Sequence, residues 1–183
     1  MYNYGDEIGM TTIPPAHKEN VRDPIDVRGR PNEKGRDDER TPTQWTAGPN
    51  AGFSSNGAKT WLAVPPNATT VSVAAQEGPP DTLLAWYRQL GTLQRTNAAL
   101  RDGEQVMLNT SDSHVLAWLR RTPKGEAVLF ACNFTAPPQK VSLDPKTHDV
   151  HATIVSALLS TPGQETPRSL TNIAPEPFGV AVL

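Results

Sequence analysis

The sequence predicts a mainly β fold: an antiparallel β-sandwich preceded by one helix and a long irregular region. Three observations predict it. From residue 104 onward, short runs alternate apolar and polar residues with a period of two, broken by Pro, Gly and Asp. One segment, residues 81–99, carries its apolar residues at helical spacing. Pro (18) and Gly (13) are over-used in a chain of 183 residues, which excludes a helical bundle. The length also excludes a complete (β/α)8 barrel, which needs about 250 residues.

Residues 17–40 are the most charged stretch. Seven basic residues (Lys18, Arg22, Arg28, Arg30, Lys34, Arg36, Arg40) face seven acidic ones (Glu19, Asp23, Asp26, Glu33, Asp37, Asp38, Glu39). The mixed signs steer no ion of one charge. Pro24, Gly29, Pro31 and Gly35 interrupt any helical period. Trp45, Phe53 and Trp61 follow at short intervals, so residues 11–75 are expected to form a long ordered loop held down by aromatic anchors. In the helix over 81–99, Asp81 is the expected N-cap, and Leu83, Leu84, Tyr87, Leu90 and Leu93 form the buried face. Strands are expected over 105–109, 114–120, 127–134, 140–143, 152–159 and 178–183. In the third, Val128, Phe130, Cys132 and Phe134 share one face, and Leu129 and Ala131 are apolar on the other. That predicts a central strand covered on both sides.

Lys plus Arg (17) against Asp plus Glu (19) leaves a net charge of −2, which suits neither nucleic acid nor an anionic membrane. The N-terminus shows no basic and apolar leader pattern, and no apolar run approaches the ~18 residues of a span, so a cytoplasmic location is expected. Without an export signal, the sequons at Asn67, Asn109 and Asn133 read as chance matches. Cys132 reads as a buried structural thiol. His148 and His151 stand three apart but lack a third ligand at sensible spacing, so no metal or other cofactor is expected. Asp6-Glu7 and Asp37-Asp38-Glu39 are adjacent carboxylates, not a pair set to flank a glycosidic bond, and no catalytic residue is assigned.

Several ordered motifs carry a resemblance. Tyr4-Gly5-Asp6-Glu7-Ile8-Gly9-Met10 is similar to the end of barrel strand 8 in glycoside hydrolase family 13. Asp23-Pro24, then Gly35-Arg36-Asp37-Asp38-Glu39-Arg40-Thr41-Pro42-Thr43-Gln44-Trp45, resembles the "GRD..RTPMQW" block of its oligo-1,6-glucosidase and α-glucosidase branch. Trehalose synthases carry a related block. Residues 49–54, 61–64 and 73–76 continue the pattern, and Leu84–Leu93 looks like that branch's last barrel helix. This chain has Thr43 where the block has Met, and Thr46 where it has Asp.

The resemblance implies a barrel remnant over 1–102 and the family's C-terminal β-sandwich over 103–183. In this family the nucleophile, the acid and a third aspartate all precede strand 8. The expectation is therefore a C-terminal portion of a retaining enzyme, inactive alone, whose partner is the missing N-terminal barrel and whose α-glucoside substrate is bound only in the intact parent. Self-association through apolar surface left bare, including Tyr2, Tyr4, Ile8, Trp45 and Phe53, is expected. Within the block, the resemblance places Arg40 against a glucose hydroxyl, with Asp6, Glu7, Gln44 and Trp45 supporting its loop. Three other readings stand beside this one: a free-standing carbohydrate-binding or interaction module, a trehalose synthase-type fragment, and an unrelated sandwich.

Overall fold

The computed structural model describes residues 3–15, 17–29, 32, 34–108, 114–140, 156–161 and 173–183. His148, His151, Tyr2, Asn109, the expected strand residues 141–143 and residues 152–155 of the expected strand over 152–159 lie outside these. The described remainder of that last strand is shorter than expected, since 156–158 are not strand and only Leu159–Ser160 is. The chain divides into two compact units, Met1–Tyr87 and Arg88–Leu183.

The first unit is built from short turns. A 3-10 turn spans Asp6–Ile8 and another Asp37–Glu39. Helix α1 covers Pro24–Gly29 and α2 covers Val73–Gln76. α1 corrects the expectation that Pro24 and Gly29 prevent a helix. Pro24 occupies the first helical position, where its missing N–H costs nothing. Asp23 caps that helix by accepting from the Ile25 amide at 2.9 Å.

The expected aromatic anchors are also corrected. The Trp45, Phe53 and Trp61 side chains are 51%, 53% and 73% exposed, and the Arg22 guanidinium lies over the Trp61 ring at 5.9 Å. Ile8, expected to be bare, is 1% exposed. Polar side chains hold the loop instead. The Asn50 amide donates to Ser54 Oγ, to the Ser55 carbonyl and to the Ala58 carbonyl at 2.9–3.0 Å. Gln76 ties the first turn to the following helix. Its Nε2 donates to the Ile8 carbonyl at 2.7 Å, and its Oε1 accepts from the Leu84 amide at 3.1 Å.

Helix α3 runs Leu83–Thr96 and α4 Ala98–Asp102. The cap of α3 is Thr82, not Asp81: the Thr82 hydroxyl accepts from the Ala85 amide at 3.2 Å. Asn97 caps α4 through the Leu100 amide, which ends the helical run earlier than expected and restarts it.

The second unit holds an antiparallel sheet of β1 (Glu104–Met107), β2 (Val115–Arg121), β3 (Ala127–Asn133), β4 (Leu159–Ser160) and β5 (Val180–Val182). Their order is β1-β2-β3-β5-β4, so β3 is central among the described strands. Both its faces are covered. Leu129 and Ala131 pack with Val115, Ala117, Ile173, Ala181 and Leu183. Val128 packs on the other side with Ala99 and Val182, backed by Leu93, Leu100 and Phe130. The register explains this, since Ala117, Ala131 and Ala181 stand opposite one another on successive strands. The Trp118 and Phe130 rings, also paired across strands, stack 4.6 Å apart. Cys132 is buried, and burial pushes its thiol up to about 11.

Asn133 closes the end of β3. Its Nδ2 donates to the carbonyls of Pro137, Pro175 and Glu176 at 3.0, 3.3 and 3.1 Å. Its Oδ1 accepts from the Thr135 amide and hydroxyl, both at 2.8 Å. This amide is committed to structure.

Candidate functional site

The turn Asp37–Glu39 and the run that follows it present Arg40. Two buried carboxylates and a glycine build this local structure. Asp37 is buried, and its Oδ2 accepts from the backbone amides of Arg22 and Asp23, the latter at 2.9 Å. Asp23 is buried as well. Its Oδ1 takes the Ile25 amide and its Oδ2 the Arg36 amide at 3.1 Å. Gly35 sits between them. A side chain there would place its Cβ 2.6 Å from Asp23 Cβ and 2.7 Å from Asp26 Cβ.

Amide donation from Ile25 and then Arg36 holds the Asp23 carboxyl below the usual range, with weaker help from the Arg36 and Arg40 charges and some opposition from burial. The folded state thus favours the ionised form. That stability is present above the ordinary carboxylate value near 3.8 and is lost as pH falls through the lower folded value. Asp23→Asn is therefore expected to lower the urea midpoint at pH 7 and to shrink the further drop between pH 5 and pH 2. An acid dependence identical to the wild type would exclude Asp23 as its source.

Arg40 closes the turn, its amide donating to the Asp37 carbonyl at 3.2 Å. Its side chain is exposed and makes no ion pair among the described residues. It pairs with neither Asp37 nor Glu39, its two acidic neighbours in the turn. After Arg40 the chain turns inward: Thr41, Pro42 and Gln44 are buried. Pro42 restricts Thr41 to extended geometry.

Gln44 is 0% exposed, and its Nε2 donates to Asn67 Oδ1 at 3.0 Å. The Gln44 and Trp45 carbonyls accept from the Val73 and Ala74 amides, both at 2.9 Å, which straps the run to α2. The Trp45 and Thr46 amides both donate to the Ala51 carbonyl, at 2.8 and 3.0 Å. Trp45 thus supports the loop through its backbone while its ring stays half exposed. Among the described residues, Asp6 and Glu7 tie their own turn: Asp6 Oδ2 accepts from the Asn3 amide at 3.0 Å, and Glu7 Oε2 from the Gly5 amide at 2.9 Å. Thr46 accepts from the Gly48 amide at 3.2 Å.

Sequence reasoning missed Tyr4, whose hydroxyl reaches the Thr41 carbonyl at 3.1 Å. It also missed Asn67 and Asn50. No local pattern marks these residues, because each acts on chain distant in sequence or on plain backbone. Among the described residues, no three His, Cys, Asp or Glu side chains come together as a metal site. No described helix is long and apolar enough to cross a membrane.

Comparison with known proteins gives a consistent picture. The family model for the alpha-amylase catalytic domain matches residues 1–103. Probable oligo-1,6-glucosidase 2 of Bacillus subtilis is 33% identical over 148 residues, 72% of this chain and 26% of that protein. The salivary alpha-glucosidase of Aedes aegypti is 33% identical over 87% of this chain and 28% of its own length. The crystal structure of the trehalulose synthase MutB from Pseudomonas mesoacidophila MX-45 superimposes with a TM-score of 0.82 at 27% identity, covering 97% of this chain and 34% of that one. The chain therefore spans roughly a quarter to a third of the length of these relatives.

Proposed function

The chain belongs to the alpha-amylase family, glycoside hydrolase family 13, and from that premise we propose that it supplies the arginine-bearing C-terminal part of an α-glucosidase-type enzyme. The observation that carries this reading is Arg40: an exposed guanidinium, without an ion pair among the described residues, on a turn whose backbone is held by buried Asp23, Asp37 and Gln44. Residues 1–102 then correspond to the end of the catalytic barrel. The antiparallel sheet corresponds to one layer of the C-terminal β-sandwich.

A guanidinium offers five donors in a rigid fork and stays charged at any working pH, so it can bridge a sugar hydroxyl and a carboxylate. The reaction is retaining hydrolysis of an α-glucosidic bond. It needs a carboxylate nucleophile and a carboxylic acid about 5–5.5 Å apart on either side of that bond. Neither Asp6-Glu7 nor Asp37-Asp38-Glu39 has that arrangement, so the two groups come from the preceding barrel of the parent. The exposed Trp45, Phe53 and Trp61 rings support a surface that the barrel would cover, and that self-associates in its absence.

The 183 residues alone are expected to release no glucose from maltose, isomaltose or 4-nitrophenyl α-glucoside. Joined to the catalytic region of the Bacillus subtilis relative, the chain should complete an active enzyme. In that fusion Arg40→Lys should lower kcat/KM at least ~10-fold, since Lys keeps the charge and loses the fork. Turnover by the purified chain alone, or an unchanged kcat/KM for Arg40→Lys, would overturn the reading. The likeness to trehalulose synthase supports a second reading, an isomerising enzyme, which product analysis of the fusion on sucrose would separate from hydrolysis.

A further inference from the structure

Arg40 and Thr41 are bracketed by a single hydroxyl. Tyr4 Oη donates toward the Thr41 carbonyl at 3.1 Å and lies 3.4 Å from the Glu39 carbonyl. One of these oxygens belongs to the peptide that enters Arg40. The other belongs to the peptide that leaves Thr41 for Pro42. The contact spans 35 to 37 positions of sequence, so nothing local would create it.

The phenol stands on a fixed base. The turn beside it is closed by the Met10 amide on the Gly5 carbonyl at 2.9 Å, by buried Ile8, and by Gln76 on the Ile8 carbonyl. Gly5 packs so closely on the Met10 side chain that a Cβ would meet its sulfur at 2.7 Å. The Arg40 charge is within electrostatic reach of the phenol: burial raises the Tyr4 pKa, and Arg40 opposes the rise.

We propose that Tyr4 is the positioning residue for Arg40, its hydroxyl setting the direction in which the guanidinium leaves the turn. The importance of that direction for catalysis rests on the function proposed above. The positioning itself does not. Without the hydroxyl, the Glu39 and Thr41 carbonyls lose a common donor, and the Arg40 amide keeps its bond to the Asp37 carbonyl without that support.

Three measurements test this at micromolar protein. By hydrogen exchange, Tyr4→Phe should speed exchange of the Arg40 amide about tenfold, while the Arg22 and Asp23 amides, bound to Asp37, keep wild-type rates. In ultraviolet phenolate titration, the component that Tyr4→Phe removes should move to higher pH in Arg40→Gln, because the opposing cation is gone. In the fusion enzyme, Tyr4→Phe should lower kcat/KM about fivefold, and Tyr4→Phe with Arg40→Lys should lose no more than Arg40→Lys alone. Unchanged Arg40 exchange, a phenol indifferent to Arg40, or fully additive losses would each overturn the proposal. A silent Arg40→Lys beside positive exchange and titration results would instead remove Arg40 from the sugar site and leave the positioning intact.

Discussion

Gly35→Ala is expected to destabilise the first unit by about 3 kcal/mol, at the upper end of what one added methyl does to a packed site. The new Cβ would sit 2.6 Å from Asp23 Cβ, 2.7 Å from Asp26 Cβ and 2.8 Å from Asp23 Cγ. Two of those atoms are bonded directly to backbone, so no rotamer change relieves the clash. The segment must move, and what it moves is costly. Asp23 caps α1 and holds the Arg36 amide, and Asp37 holds the consecutive Arg22 and Asp23 amides. Displacing this site leaves buried donors unpaired at about 1–3 kcal/mol each. Urea unfolding followed by tryptophan fluorescence, with Trp45 and Trp61 as reporters, would show the lowered midpoint. In the fusion enzyme the same substitution should depress activity through Arg40. An unfolding free energy within about 0.5 kcal/mol of wild type would mean that the packing around Gly35 is looser than these distances.

Asn133→Ala should cost the second unit about 3 kcal/mol or more. The side chain shares its two N–H donors among three carbonyls and accepts two donors from Thr135, joining the end of β3 to residues 135–137 and 175–176. Alanine removes every partner at once, and Asn133 is buried, so water does not replace them freely. Asn133→Asp is the informative companion. It keeps the oxygen facing Thr135 but aims a carboxylate at three carbonyls, and it should be at least as destabilising as alanine. Far-ultraviolet circular dichroism during thermal unfolding reads both variants. Stability close to wild type for the alanine variant would show that the three carbonyls find other donors.

β1, β2, β3 and β5 are legible because alternation survives in any half-buried strand, whereas the expected strand over 152–159 shrinks to Leu159–Ser160 in its described part. Ala127–Asn133 reads as doubly apolar, and both its faces are covered. Arg40 was legible only through its neighbours in the motif, since a lone exposed arginine carries no signal. What escaped was the placement of polar groups. Asp81 and Thr82 are both good caps by type, and only geometry chose Thr82. Trp45, Phe53 and Trp61 resemble anchors by composition, yet a sequence does not reveal which surface each ring meets. Asp23, Asp37, Gln44 and Asn50 do the anchoring through backbone amides and carbonyls, which every residue possesses and no sequence pattern marks. Pro24 reads as a breaker in sequence because its position relative to a cap is invisible until the cap is known.

The strand order carries a consequence for synthesis on the ribosome. β1, β2 and β3 are consecutive and joined by short connections, so they can pair as soon as residue 133 emerges. The next partner of β3 is β5, near residue 183, where Leu129 and Leu183 exchange backbone hydrogen bonds at 2.9 Å in both directions. Until those last residues are made, the most apolar strand of the sheet is an open edge, a template for pairing with another nascent chain. The interval between translating Asn133 and translating Val180 is therefore the period in which a chaperone has most to protect, and slower elongation there would lengthen the exposure.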